Sequence, residues 1–543
     1  MKKCRKLMSM LLAAVMVLSM AGCGGGETNA TAAATGGGGG ATSGETSGGQ
    51  TASGKTDLVV GITRGITSIW PGGENDQGTI IMNNQFYNRL LKKNYTTGEL
   101  EPELAKSWTV SDDKLTYTFE LRDDVYFHNG DKLTAEDVVW TMNEWHKNET
   151  YTKDYLVFFD HAEAKGDTTV IMHYTDVYAA ALESLSFTLM GILDKSYVLE
   201  KMGDKWDSSG NAQSRDVYGD IEPNGTGPFQ FVEKVSGESY TMAANEKYFE
   251  GKPAFDKVTV KIMSDANAAL VALEAGEIDA LSHAPSSDKM AIENNEDLVW
   301  YENADTPYLI WLMLNEADEH LQNPKVRQAI AYALNKEEIA IATTDGVGQV
   351  LHSPIPESAV GYAAPPADYE MDLEKAKALL AEAGYPDGFS IEMKTTSSNT
   401  YKKPSTVIQA QLAKIGIQVT VTEVDTYWSD VAAHDFSLGV MNLCIYVPDA
   451  DQALYPLYYT NQKRNYVNIS IPELDSLLDQ GRGETDLTKR SEIYSKAQQI
   501  FHDEVFMIPL CNYAAIIAAN KNLKNVEASP VFAWNISEWT WEE

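Results

Sequence analysis

The sequence predicts an α/β chain of two or three lobes. Strand-period and helix-period segments alternate along its length, which is the pattern of mixed sheet and helix layers. Its 543 residues exceed what one hydrophobic core organises, since cores stop growing beyond about 250–300 residues. No internal repeat divides the chain, so the lobes are not copies of one unit.

The elements follow in order. Leu115, Tyr117, Phe119 and Leu121 alternate with Thr116, Thr118 and Glu120, a strand with one buried face. Asn129-Gly130-Asp131 marks a turn. Thr134-Ala135-Glu136-Asp137 opens a helix, with Thr134 as N-cap and Asp137 favouring the first turn. Gly225 and Gly227 read as a tight turn where the chain passes between lobes. Val258, Val260 and Ile262 form a strand. Asn323-Pro324 reads as N-cap and first helical residue, with Val326, Ile330, Ala333 and Leu334 on one face behind it. Asp372 to Gly384 is a helix closed by its glycine. Ile417, Val419 and Val421 form a strand, as do Phe436, Leu438 and Val440. Ser470-Ile471-Pro472-Glu473 reads as a capping box ahead of the apolar stripe Leu474, Leu477 and Leu478.

The N-terminus reads as an export signal. Lys2, Lys3, Arg5 and Lys6 precede an apolar run from Leu11 to Leu18, and small residues lead to Cys23. The run is shorter than the roughly 20 residues that span a bilayer. Met20-Ala21-Gly22-Cys23 resembles a bacterial lipobox, with Met20 where Leu is usual. That resemblance implies cleavage after residue 22, acylation of Cys23 and a lipid anchor on the extracytoplasmic face of the cell membrane. Residues 24 to 56 are almost entirely Gly, Thr, Ala and Ser. Such a segment acts as a soft tether reaching roughly 30 Å.

Composition narrows the function. The net charge is −35, and loss of the four basic residues of the signal makes it −39. A body this acidic disfavours nucleic acid, because phosphate contacts need Lys and Arg. Two cysteines lie beyond the export region, Cys444 and Cys511. One disulfide and two core thiols are equally compatible with the sequence. The nine His residues show no HExxH, and CxxC, GxSxG and a phosphate-binding loop are all missing. Gly225-Thr226-Gly227-Pro228 cannot continue as a dinucleotide fingerprint. No catalytic residue, metal site or cofactor is expected, and the balance moves toward binding.

Five stretches then fall in a recognisable order. Glu101-Pro102-Glu103-Leu104-Ala105-Lys106-Ser107-Trp108 leads through Tyr117 to Leu121 into Val125-Tyr126-Phe127-His128-Asn129-Gly130 and Thr134 to Val138. Gly225-Thr226-Gly227-Pro228-Phe229 is followed by Asn245 to Phe249 and Gly276-Glu277-Ile278-Asp279. Asn323 to Ile330, Ala376 to Gly384, and Pro472-Glu473-Leu474-Asp475 complete the series. Together they resemble the family 5 extracellular solute-binding proteins, the oligopeptide, dipeptide and nickel type served by ABC importers. The resemblance spans about residues 57 to 543.

It implies two α/β lobes closing on a solute by hinge motion, with an extra subdomain on the first lobe. Carried onto this chain, lobe one comprises 57–94, 218–312 and 512–543, the extra subdomain 95–217, and lobe two 313–511. The motifs themselves are mostly structural, and Trp108 and Phe127 read as core anchors. The resemblance implies a monomeric receptor that is not an enzyme, with an ABC permease and ATPase as partners. A sensory receptor and an extracellular hydrolase are the competing classes.

In the peptide-binding branch, a strand of lobe two ends in an aromatic residue, and an Asp three residues later meets the peptide ammonium. The matching stretch is Asn442-Leu443-Cys444-Ile445-Tyr446-Val447-Pro448-Asp449. It places Leu443 at the aromatic and Tyr446 at the Asp. A buried ammonium needs an anionic partner, so Asp449 or Asp451 takes that role or the solute lacks a free amine. Oligopeptide is the default solute and oligosaccharide the alternative. Trp70, Tyr151, Tyr155 and Trp428 are the expected aromatic contacts.

Overall fold

The computed structural model describes residues 55–148, 150–209, 218–219, 221–365 and 368–542. Cys23, the export signal and nearly all of the tether lie outside the described residues.

Seven strands build the first sheet. They are β1 (Asp57–Ile62), β6 (Phe229–Val235), β7 (Ser239–Ala244), β8 (Lys257–Ile262), β9 (Ala280–Ser282), β10 (Leu298–Asn303) and β16 (Ala515–Asn520). Their order is β10-β16-β9-β1-β8-β7-β6. β1 is central and runs parallel to both neighbours, β8 and β9. A separate antiparallel sheet is inserted after β1. It holds β2 (Ala105–Val110), β3 (Thr116–Leu121), β4 (Phe159–Lys165) and β5 (Thr169–Tyr174) in the order β2-β3-β5-β4. Its core is continuous with that of the first sheet, so it is an extension of that lobe. The second lobe is a five-stranded sheet of β11 (Tyr308–Leu314), β12 (Ser390–Thr395), β13 (Gln418–Glu423), β14 (Leu438–Cys444) and β15 (Met507–Asn512), ordered β13-β12-β14-β11-β15. The divide expected at 312/313 falls inside β11.

β11 shows why this sheet holds. Ile310, Leu312 and Leu314 enter one core, and Leu309, Trp311 and Met313 enter the other. A strand buried on both faces has no polar alternation, and each such side chain contributes about 1.5–3 kcal/mol. Helices cover those faces. In α3 (Pro324–Ala333), Val326, Ile330 and Ala333 are buried, and the Asn323 side chain accepts from the Lys325 N–H. In α4 (Leu373–Glu382), Asp372 caps the start and Gly384 closes the turn with φ +95°.

Two local expectations need correction. The helix beginning at Pro472 is capped by Ile471 with no side-chain bond, because the Ser470 hydroxyl pairs with Thr460 instead, at 3.3 Å. Gly225 and Gly227 do not serve a left-handed turn. They let the backbone lie against the end of α1 (Gln77–Phe86), where a Cβ would collide with the Phe86 and Gln85 carbonyls. The His128 N–H donates to the Gly225 carbonyl at 2.8 Å, and its ring bonds the Gly227 carbonyl at 3.0 Å. Burial pushes His128 down to about 4, so the ring is neutral. Two signature stretches therefore dock on each other. In α2 (Ala135–Lys147), Asp137 accepts from the Thr134 N–H at 2.9 Å and its hydroxyl at 2.7 Å, as a capping residue should. Phe127 is buried and Trp108 packs at the edge of the same core.

Candidate functional site

The two lobes are joined by two short crossings, residues 304–307 between β10 and β11 and residues 513–514 between β15 and β16. The crossings are laced together. The Tyr513 N–H donates to the Tyr308 carbonyl at 3.0 Å, and the Thr306 hydroxyl donates to the Tyr513 carbonyl. The Asn512 amide donates to the Ala304 carbonyl at 2.6 Å and accepts from the Gln349 N–H at 2.8 Å. Every partner is neutral.

β14 ends beside these crossings. Cys444 lies opposite Tyr308, and the Ile445 N–H reaches the Pro307 carbonyl at 2.9 Å. Asn442 lies in the same strand, opposite Ile310. Cys444 and Cys511 flank β11 on opposite sides, opposite Tyr308 and Ile310. Two strand spacings separate them by roughly 10 Å, beyond the reach of a disulfide. Both are buried free thiols, and burial raises both, Cys511 to about 12.

A cavity of about 910 Å³ opens here, between residues 150–157 of the extended first lobe and β14 with the segments beyond it. Tyr151, Tyr155, Leu443 and Cys444 line it, so the structure brings four of the expected residues together. Lys153, Asp154, Arg464 and Arg482 add charge to its wall. Tyr155 also packs on Phe187 at 4.4 Å. Tyr446 stands behind the cavity, 7% exposed and stacked on Phe187 at 5.9 Å. Burial pushes its hydroxyl well above the usual range, so it carries no charge.

Asp449 and Asp451 are engaged elsewhere. Both are fully buried. Asp449 caps α5 (Ala450–Tyr458) and receives both Arg490 nitrogens at 2.7 Å. Asp451 binds Arg482 at 2.9 and 3.1 Å and accepts from the Tyr178 hydroxyl at 3.2 Å. Neither carboxylate is open to an ammonium. Asp76, whose charge acts on Tyr446, caps α1 through Thr79. Asp154 faces Arg464 at 3.6 Å.

The remaining aromatics divide. Trp70 is a core residue, stacked on Tyr218 at 5.4 Å and edge-on to Tyr87 at 6.3 Å. The loop that carries it looks irregular in sequence, but its ring fills the first lobe. Trp428 is 43% exposed and meets Tyr401 edge-on at 6.0 Å. Tyr401, which also meets Tyr427 at 5.7 Å, was missed by sequence reasoning, as was a separate wall of rings. His283 stacks on Phe532 at 5.2 Å, Phe532 meets Tyr308 at 5.7 Å, and Tyr308 meets Tyr513 at 5.5 Å. Arg64, just past β1, was also missed. Its neighbour Thr63 donates its hydroxyl to the His283 carbonyl at 3.2 Å, which puts Arg64 beside the end of the ring wall. The only sequence signal was a lone Arg at the end of a parallel strand.

Comparison with known proteins fits this geometry. The model of the bacterial extracellular solute-binding proteins, family 5 (Middle) matches residues 99–465. Oligopeptide-binding protein AppA of Bacillus subtilis is 29% identical over 583 aligned positions, covering 99% of each chain. Heme-binding protein A of Haemophilus influenzae is 29% identical over 479 positions, covering 82% of this chain and 85% of that one. The crystal structure of the ABC transporter substrate-binding protein CtaP from Listeria monocytogenes superposes with a TM-score of 0.79 at 28% identity. It covers 90% of this chain and 100% of that one.

Proposed function

We propose, from the premise that this chain belongs to family 5 of the bacterial extracellular solute-binding proteins, that it is the receptor of an ABC importer for an oligopeptide- or dipeptide-class solute. A binding receptor, not an enzyme, is what this family membership means. The solute is held between the lobes and presented to the permease and ATPase subunits. The observation that carries this reading is the cavity of about 910 Å³ between the extended first lobe and the end of β14, beside the neutral double crossing. That volume lies within the few hundred to about 1,000 Å³ of ordinary ligand sites. Relatives named for oligopeptides and heme make peptide a reasonable class without fixing the solute. Mass spectrometry of small molecules released from the purified protein tests it. Peptides are the expected result, and recovery of glycans alone overturns the peptide class.

The second reading is an oligosaccharide, favoured by the neutral Tyr446 where a carboxylate would meet an amine. Calorimetry with matched free and N-acetylated peptides separates the two. On the peptide reading, acetylation changes affinity little, because Asp449 and Asp451 are already paired with arginines. Loss of binding on acetylation would contradict the role given to Tyr446.

The receptor is tethered at the cell surface through an acylated Cys23. Among the described residues no helix is long and apolar enough to cross a membrane. Cys23→Ala is expected to release the protein or leave its precursor uncleaved in membrane fractionation. Unchanged retention of the variant would count against the anchor.

A further inference from the structure

Acids outnumber basic residues 78 to 43 in this chain. An arginine without a carboxylate partner is therefore notable. Six of the seven described arginines have one. Arg89 pairs with Glu103, Arg122 with Asp124, and Arg327 with Glu316 and Glu504. Arg464 pairs with Asp154, Arg482 with Asp451, and Arg490 with Asp449. Arg64 is exposed and has no ion pair among the described residues.

Its position is not that of a casual surface charge. β1 and β9 are parallel at the centre of the first sheet. Arg64 follows the C-terminal end of β1, and His283 follows that of β9. Loops beyond the carboxyl ends of parallel strands are where open α/β sheets bind ligands. The Thr63 hydroxyl, next to Arg64, donates to the His283 carbonyl at 3.2 Å, so the two loops lie together, and burial keeps His283, Tyr308 and Tyr513 neutral. Tyr308 and Tyr513 lie with their rings 5.5 Å apart, and burial keeps both hydroxyls protonated, so each has a proton to give.

Strain converges on the same place. His283 has φ +56° and Phe532 has φ +62°, and their rings stack on each other. Bulky residues hold such angles only where the surroundings impose them, often at ligand clamps. The His283 Nε2 is buried without a partner. An unpartnered buried nitrogen costs free energy that a ligand atom would recover.

We propose that Arg64, with the Tyr308 and Tyr513 hydroxyls, anchors an acidic group of the solute, so that this receptor takes a carboxylate-bearing ligand by its acid end. The proposal rests on the reading of the interlobe cleft as the solute site, and it puts the anchor at the crossings, beyond the residues that line the cavity of about 910 Å³. A guanidinium fork matches a carboxylate in two parallel hydrogen bonds, and the aromatic wall offers the rest of the solute an apolar face. An amine anchor is then unnecessary, which agrees with the neutral Tyr446.

The test is calorimetry on the purified protein with N-acetylated tripeptides and with aryl and sugar carboxylates, each as free acid and as carboxamide. With the cleft closed over the pair, the wild type should prefer acids by about 10- to 100-fold, the range of a charge-assisted hydrogen bond. Arg64→Gln should reduce that preference to within about 3-fold, and Arg64→Lys should keep part of it. Both variants should melt like the wild type, since Arg64 has no pair to lose. Acid selectivity confined to non-peptides would support Arg64 while overturning the peptide class. Peptide binding with no acid preference, or a preference that survives Arg64→Gln, would overturn the assignment and leave the receptor reading standing. Binding by no member of the panel would overturn the assignment as well.

Discussion

The lobes meet at two places built from different materials. At the crossings, Thr306, Asn512 and Tyr513 lace neutral backbone and amide groups across a span of a few residues. Far along the chain from them, charged side chains join the backbone contacts, and the partners come from distant segments. Tyr178 reaches Asp451, the Ala179 N–H donates to the Arg482 carbonyl at 2.9 Å, and Asp154 faces Arg464. Bonds within the crossings need only small torsional changes to persist during rotation. Bonds between Tyr178 and Asp451 exist only while the extended first lobe lies on the second. If the lobes close by the hinge motion expected of this fold, the first region would serve as its axis and the second would mark one end of it.

Breaking the charged region at its root should have the largest effect. Arg490→Met leaves Asp449 buried and unpaired beneath Asp451, and a loss of about 3–5 kcal/mol in urea unfolding is expected. A loss below 1 kcal/mol would mean that the pair is not the foundation of this surface. Asn512→Ala removes the amide that serves both Ala304 and Gln349 at the hinge. About 1–3 kcal/mol should be lost there, with no change in the contact between Tyr178 and Asp451. The smallest effect belongs to Tyr178→Phe, which deletes one hydroxyl at about 0.5–1.5 kcal/mol. That energy acts on closure alone. Small-angle scattering of the solute-free variant should show a larger radius than the wild type, while the unfolding of each lobe stays the same. Equal radii would remove the distinction between axis and end-stop.

The sequence made the scaffold readable where the determinants are local. Thr134 with Asp137, Asn323 before Pro324, and Asp372 with Gly384 all act within a few residues of themselves. Ser470 misled because its hydroxyl found Thr460, a partner ten residues away that no cap rule contains. The cleft was less legible for the same reason on a larger scale. Tyr446 was found through its neighbours in sequence, but the engagement of Asp449 and Asp451 depends on Arg490 and Arg482, 41 and 31 residues onward. Trp70 and Trp428 are alike in a sequence and opposite in burial. Arg64 becomes notable only when every other described arginine has been assigned its acid, which requires the tertiary structure.

The close seating of Gly225 and Gly227 on the end of α1 bears on how such receptors diversify. The stretches by which this chain is recognised are occupied with holding one another: His128 with the two glycine carbonyls, the glycines with Phe86 and Gln85. None of these contacts faces the cavity. On the proposed assignment of the solute site, a gene copy is free to exchange its cargo by changes near Tyr446 or Arg64 while every recognisable signature stays in place. Inheritance at this fold carries the clamp, and each descendant settles its own catch.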